Sequence, residues 1–178
     1  MDENNLCPIV GIPERLWVSE RDEDQVFEGE EILYRRIHTS LPKDFIDDDD
    51  ISIELFEIKD DSYNRSKYCG SEKDVLFNTR IEDAGRHYTN WGIVSLTVND
   101  LSVSQPFNYE GRNVVCRLSP IHRPVPCNYS HTEAWFFRDD VKLSTKKPRS
   151  MKTLFRRTLL KKLKIIVPYD DEHVVMPD

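Results

Sequence analysis

Long hydrophobic runs are missing from this sequence of 178 residues. A membrane-spanning helix needs about 20 predominantly apolar residues in a row, and no segment approaches that length. The N-terminal stretch from Met1 to Glu20 also lacks the basic region and apolar run that mark a secretory signal. The sequence therefore predicts a cytoplasmic protein that has no contact with a membrane.

Cysteine is scarce, which argues against a disulfide-stapled scaffold. The chain has four cysteines, at Cys7, Cys69, Cys116 and Cys127. They are too sparse to hold together a chain of this length, and a reducing cytosol would keep them as thiols. The stretch from Cys116 to His131 has the spacing C-x5-H-x4-C-x3-H, but it lacks the close C-x2-C pair of usual structural zinc sites. We expect four free thiols, no metal and no cofactor.

Apolar and charged residues are both present in amounts that fit a folded domain. The hydrophobic fraction is 38% and the aromatic fraction 10%, which suffices for a buried core. At this length we expect one domain over residues 31–168, preceded by an irregular acidic arm over 1–30 and followed by a flexible acidic tail over 169–178.

The formal net charge of -7 is unevenly distributed along the chain. Residues 1–50 contain 15 acids and 5 bases, whereas residues 141–178 contain 4 acids and 10 bases. The segment from Val141 to Tyr169 contains no acid at all. Such asymmetry indicates either two surfaces for different partners or an intramolecular clamp between the two ends.

Alternating apolar residues predict a sheet, and one segment has helical spacing. The strands are expected at Glu31–His38, Ile51–Ile58, Trp91–Val98, Asn113–Leu118, Glu133–Phe137 and Ile165–Val167. Three prolines between Ser119 and Tyr129 predict that no strand crosses that stretch. The interval from Ser150 to Lys164 is expected to be a helix that docks through Met151, Leu154, Phe155, Leu159 and Leu163. The predicted fold class is α+β: one domain with a mixed or antiparallel sheet of about five or six strands, an irregular N-terminal arm, and a basic C-terminal helix followed by a short strand.

The C-terminal helix would carry the most distinctive charge pattern in the chain. Its basic residues and those just before it are Lys146, Lys147, Arg149, Lys152, Arg156, Arg157, Lys161, Lys162 and Lys164. Such a face can bind phosphates of DNA or RNA, or an acidic protein surface. It can equally be a solvated face that offsets the acidic arm. These three interpretations stay open at the level of sequence.

A second candidate site combines a histidine with charged side chains. His131 and Glu133 are two residues apart on a predicted strand, so they point the same way and could perform acid–base chemistry. Arg35 and Arg36 lie on an alternating strand, where one of them would face the core and need an acidic partner. We expect one of the two arginines to be partly buried and paired with an acid, Glu133 being the first candidate.

The order of several short motifs resembles that of a group of small bacterial proteins from mobile or defence-type gene neighbourhoods. The motifs are YRRIH, ISIELF, SYNRSKY, WGIVSLTV and NYSHTE, and the similarity covers residues 31–167. The chain is also similar to NAD-using toxins of the ADP-ribosyltransferase type. That resemblance implies a nicotinamide site flanked by Arg35 or Arg36 and by Glu133, with Ser52 or Ser62 in place of the family's Ser-Thr-Ser motif.

The function expected from these patterns is that of a non-enzymatic subunit or adaptor in a multi-component bacterial assembly of the defence type. It would contact protein partners, or DNA or RNA, through the basic C-terminal helix. The alternative is a small ADP-ribosyltransferase-like enzyme centred on Arg35, Arg36, His131 and Glu133.

Overall fold

The fold is described from a computed structural model. It describes residues 7–18, 22–37, 46–47, 50–51, 61–77, 79, 91–109, 111–142, 155 and 157–167. Among these residues no helix is long and apolar enough to cross a membrane.

An antiparallel sheet dominates the described part of the chain. Its eight strands are β1 (Ile32–Ile37), β4 (Asp61–Arg65), β5 (Gly92–Thr97), β6 (Ser104–Tyr109), β7 (Arg112–His122), β8 (His131–Arg138), β9 (Val141–Lys142) and β10 (Lys164–Val167). The order across the sheet is β10-β5-β1-β4-β8-β7-β6, and β9 pairs with β8. A separate hairpin joins β2 (Ile46–Asp47) and β3 (Asp50–Ile51).

Helical structure is limited to short turns. The α-helix α1 (Val98–Leu101) follows β5 directly, and 3-10 turns occupy Glu14–Leu16, Ser66–Tyr68 and Glu72–Leu76. The side chain of Thr97 accepts the Asp100 N–H while Asp100 accepts the Thr97 N–H, so a capping box starts α1. Near the C-terminus, residues 155 and 157–160 are helical.

The main core lies on one face of this sheet. Strand residues on that face pack against the C-terminal helical residues and α1, forming a buried cluster that includes Leu33, Tyr63, Leu96, Leu101, Leu118, Phe136, Phe155 and Leu159. The rings of Phe136 and Phe155 meet edge to face with 4.9 Å between their centroids. The C-terminal segment is therefore anchored to the sheet by its aromatic and leucine side chains.

The predicted α+β fold with five or six strands is wrong, because the described residues form one sheet of eight antiparallel strands with only short helices. Strands made of polar residues lack the apolar alternation on which the prediction relied. The strand β4 has the sequence DSYNR, and β6 contains Pro106. A proline is tolerated in β6 because this strand lies at the edge of the sheet.

The strand β7 also runs further than expected, through Pro120 to His122. The N–H groups of Leu118 and His122 point away from β8, toward Val103 and the side chain of Gln25. Pro120 has the same orientation as these two residues, so its missing N–H falls on the outer side of β7 and costs no ladder hydrogen bond with β8.

The long basic helix expected from Ser150 to Lys164 is wrong as well. Helical residues end at 160, Lys161 and Lys162 form a turn, and Lys164 already belongs to β10. The run of β-branched residues after Leu163 favours a strand over further helical turns. Phe155, Leu159 and Leu163 nevertheless pack on the core as the spacing predicted, whereas Met151 and Leu154 lie outside the described residues.

A second, smaller core and a disulfide secure the N-terminal segment. Ile9, Ile12 and Leu16 form a buried cluster with Cys127. A disulfide joins Cys7 to Cys127 across a sequence separation of 120 residues, while Cys69 and Cys116 are free. The expectation of four free thiols is therefore wrong; spacing along the chain carries no information on cysteines brought together by folding.

Candidate anion-binding surface

Four cations with exposed side chains follow one another along the C-terminal segment. Arg157 is on the helical stretch, Lys161 and Lys162 are in the turn, and Lys164 begins β10; we call these four residues the basic strip. The buried side chains of Phe155 and Leu159 hold the segment down, so the strip is directed outward from a fixed base.

Few acids compensate the charge of the basic strip. Lys162 Nζ lies 3.6 Å from Asp100 Oδ1, and Asp100 is itself held by the capping box of α1. Within the described part of the chain, Arg157, Lys161 and Lys164 make no ion pair. Three positive charges thus face solvent in a chain whose net charge is -7.

The basic strip ends in β10, which is an edge strand of the described sheet. The strand β10 pairs with β5 on one side, and among the described residues no strand pairs with its other side. The register shifts between Ile165 and Val167, as in a β-bulge. Ile165 and Ile166 both stay partly in solvent, at 41% and 39% exposure.

The remaining basic residues named from the sequence lie outside the described residues. They are Lys146, Lys147, Arg149, Lys152 and Arg156. Their part in the surface therefore stays a prediction.

The second set of candidate residues is divided between two strands that are not neighbours in the sheet. Strand β4 lies between β1, which carries Arg35 and Arg36, and β8, which carries His131 and Glu133. Two strand spacings amount to roughly 10 Å. The Glu133 carboxylate instead accepts the Trp135 indole N–H at 2.6 Å. This separation provides no support for pairing either arginine with Glu133.

Aromatic rings and main-chain groups surround the two candidate arginines and the glutamate. The guanidinium of Arg35 lies 5.6 Å from the ring centroid of Tyr63, and that of Arg36 lies 5.8 Å from the centroid of Trp91. Arg123 Nη1 lies 3.7 Å from Glu133. Both candidate arginines are thus half-buried beside aromatic rings.

The zinc-like spacing from Cys116 to His131 does not form a metal site in the fold. Cys127 is consumed by its disulfide, and His122 uses both ring nitrogens for hydrogen bonds to the main chain. No group of three or more potential metal ligands is found among the residues that the structure describes.

No pattern in the sequence indicates the most completely hydrogen-bonded charge in the described structure, which is that of Arg65. Residues 22–31, which we call the acidic strap, contain six acids and no base, and they lie against β4 and β7. The strap is held to the sheet at two fixed points, the first of which is Arg65, at the end of β4. No sequence pattern singles out Arg65, because DSYNR reads as a polar loop; a signal existed only in the acid-rich composition of the strap.

Arg65 is fully buried and binds the strap through every edge of its guanidinium. Its Nε and Nη2 donate to the Glu31 carboxylate at 2.8 and 2.7 Å. Its Nη1 donates to the main-chain oxygen of Asp24 and its Nη2 to that of Val26, each at 2.6 Å. The Phe27 ring lies 4.0 Å from the guanidinium carbon. A buried cation is stable only when its charge and its N–H groups are compensated. Because the acceptors that compensate Arg65 all belong to the strap, Arg65 clamps the strap to the sheet.

His122 forms the second fixed point of the strap. Its Nδ1 accepts the Asp24 N–H at 2.8 Å, so Nε2 carries the proton and donates to the Tyr129 carbonyl at 2.6 Å. The Tyr68 ring stacks on the imidazole with 5.4 Å between centroids. Burial lowers the pKa of His122 below 6.5, which keeps the ring neutral.

The carboxylate of Asp24 is held in its charged form by its neighbours. It accepts hydrogen bonds from Lys67 Nζ at 2.8 Å and from the Tyr68 hydroxyl. These bonds, first that of Lys67, hold the pKa of Asp24 well below its usual range. Burial, together with the bond to Asp24, raises the pKa of Tyr68 to about 12. All these groups are engaged in holding the strap, so the cluster is structural.

Comparison with protein-family models, with curated proteins and with solved structures gives no match for this chain.

Proposed function

We propose that this chain is a non-enzymatic binding subunit, or adaptor, that holds an anionic partner on its basic strip. The observation that supports this most strongly is the exposure of Arg157, Lys161 and Lys164, for which no ion pair is found among the described residues. An adaptor in a multi-component bacterial assembly of the defence type is the setting that the resemblance of the sequence implies.

Rigid docking of the C-terminal segment supports a binding role. Phe155 and Leu159 are fully buried, so the main chain beneath the strip is fixed before a partner arrives. Fewer degrees of freedom are then lost on binding, which favours affinity. A compact group of cations on an acidic protein also attracts anions selectively to one place.

The alternative of an ADP-ribosyltransferase-like enzyme receives no support from the geometry. Such a site would require Arg35 or Arg36 to face Glu133 across a shared pocket, and strand β4 lies between them. We therefore propose no catalytic step.

Charge reversal on the strip tests the proposal. The variant Arg157→Glu/Lys161→Glu/Lys164→Glu removes the strip, and Lys73→Glu/Arg112→Glu/Lys142→Glu makes the same change of net charge at exposed sites elsewhere. We expect wild type and the second variant to retain nucleic acid or a co-purifying protein from the native host, and the first variant to lose it. Equal retention by all three would leave the strip as a solubilising surface and overturn the proposal.

A location in the cytoplasm is also part of the proposal. The sequence predicts the cytoplasm, where cysteines are kept reduced, whereas the Cys7–Cys127 bond persists in oxidising surroundings. Acid quenching of host cells, followed by alkylation of the denatured chain, distinguishes the two. Modification of all four cysteines places the chain in the cytoplasm, and modification of Cys69 and Cys116 alone places it in an oxidising compartment.

A further inference from the structure

We propose that the partner of the basic strip is an extended acidic peptide, which adds to the sheet as a strand along the outer edge of β10. This inference rests on the proposed function and narrows its anionic partner to one class, a protein segment in β conformation. It joins three observations at one place: a strand edge with no partner among the described residues, two partly exposed isoleucines and a group of cations.

The edge of β10 offers main-chain hydrogen bonds. A strand paired on one side presents a row of N–H and C=O groups on the other, which is the template that peptide strands use when they extend a sheet. Among the described residues β10 pairs only with β5. The opposite edge strand of the sheet, β6, carries Pro106, and proline is a device that blocks strand addition. β10 contains no proline.

Apolar side chains flank that edge. Ile165 and Ile166 are two of the few large hydrophobic residues with substantial exposure, and they are adjacent in the chain. The bulge in β10 leaves both of them accessible instead of burying alternate ones. A nucleic acid has little use for two isoleucines, whereas the apolar side chains of a peptide strand can pack on them.

The cations determine the charge of the occupant. Lys164 is on the strand itself, Lys161 and Lys162 are in the turn just before it, and Arg157 is one helical turn earlier than Lys161. A peptide strand that alternates acidic and apolar residues directs one set to the cations and the other to the isoleucines. A basic or neutral strand would leave the strip uncompensated.

A designed peptide can test this before the natural partner is known. The probe is a fluorescein-labelled peptide of about ten residues that alternates glutamate and valine, long enough to cover a strand. Three further probes control for its properties: the same peptide N-methylated at every residue, so that neither edge can donate, an alternating lysine–valine peptide, and a single-stranded oligothymidylate of about 20 nucleotides. Fluorescence anisotropy with the intact chain measures each dissociation constant.

We expect the glutamate–valine peptide to bind, the N-methylated peptide to bind at least about tenfold more weakly, and the lysine–valine peptide to show no binding. The variant Ile165→Ser/Ile166→Ser should weaken binding of the first peptide several-fold while its circular dichroism stays unchanged, because both side chains are already partly exposed.

Three results would overturn the inference. Equal binding of the methylated and unmethylated peptides would mean that charge alone holds the peptide, without a strand ladder. Binding of the oligothymidylate but not of the peptide would make nucleic acid the partner. In both cases the strip would still bind an anion, and the proposed function would stand. Binding of neither anionic probe would contradict this inference together with the proposed function.

Discussion

Arg65 and Glu31 form a buried bidentate ion pair, with Nε and Nη2 at 2.8 and 2.7 Å from the two carboxylate oxygens. The side chain of Arg65 is 0% exposed and that of Glu31 6% exposed. The pair joins the beginning of β1 to the end of β4 and holds the acidic strap in place. Removal of either partner alone would leave the other charge buried.

We predict that Arg65→Leu lowers the free energy of unfolding by about 3–5 kcal/mol, as for other buried pairs that lose one partner. The double variant Arg65→Leu/Glu31→Leu should recover part of this loss, since neither charge is then unpaired. Urea unfolding of wild type, Arg65→Leu, Glu31→Leu and the double variant measures the cycle. Asp140→Asn, which neutralises the exposed partner of Arg117, is the control and should change stability by less than about 1 kcal/mol. Equal losses of stability in Arg65→Leu and in the control variant would contradict the clamp.

His122 makes stability depend on pH in a defined window. Its pKa is lowered in the folded state, so the unfolded chain binds the proton more readily. Stability should be level above the ordinary value of 6.5 and fall as pH decreases below it, by at most about 1.4 kcal/mol per pH unit. Protonation of Nδ1 also breaks the bond from Asp24 N–H.

The carboxylate of Asp24 titrates in a separate window, since its stabilising charge is lost only below the ordinary carboxyl pKa of 3.8.

Thermal unfolding at a series of pH values between 5 and 8 checks this window. The variant His122→Gln should show a flatter profile than wild type, and His131→Gln should retain the wild-type slope. An unchanged slope in His122→Gln would show that another group is responsible.

Reduction of the Cys7–Cys127 disulfide should destabilise the chain substantially. A link across 120 residues restricts the unfolded state strongly, and disulfides of this kind contribute about 2–5 kcal/mol. Cys7→Ser should unfold at lower urea concentration than wild type, and added reductant should have no further effect on it. Cys69→Ser is the matched control and should respond to reductant as wild type does. Identical unfolding of wild type with and without reductant would contradict the disulfide.

Docking of the basic strip depends on Phe155. The ring is fully buried against Phe136, so Phe155→Ala should cost about 3–5 kcal/mol of stability. Lys161→Ala, on the exposed side of the same segment, should stay within about 0.5 kcal/mol of wild type. Limited proteolysis near the C-terminus should be faster in Phe155→Ala alone. Equal proteolysis of both variants would mean that the segment is not anchored by this ring.

Sequence patterns located several strands with apolar alternation and missed β4 and β6; the predicted strand Ile51–Ile58 lies outside the described residues beyond Ile51. The predicted strands Trp91–Val98 and Glu133–Phe137 coincide with β5 and β8, because one face of each must be buried. β4 has a polar sequence and sits in the middle of the sheet; its burial comes from neighbours contributed by distant parts of the chain. The helical spacing of Phe155 and Leu159 indicated the buried side correctly, although it could not show where the helix gives way to β10.

The relationships that depend on long-range contacts were out of reach of the sequence. The bonds from Arg65 to Glu31 and from Cys7 to Cys127 join residues 34 and 120 positions apart. No local pattern constrains such pairs, because the fold brings them together. By contrast, the sequence itself shows that the segment from Val141 to Tyr169 contains no acid, and the basic strip lies in this segment.

The salt dependence of polyanion binding shows whether the basic strip holds an anionic partner. Labelled oligothymidylate and labelled polyglutamate are titrated with wild type, with the strip reversal (Arg157→Glu/Lys161→Glu/Lys164→Glu) and with the control reversal of equal charge, between about 50 and 200 mM salt. We expect wild type and the control reversal to bind at least one probe with an affinity that falls as salt rises, and the strip reversal to lose at least about tenfold in affinity at low salt. Equal affinity and equal salt dependence of wild type and the strip reversal would mean that the strip holds no anionic partner.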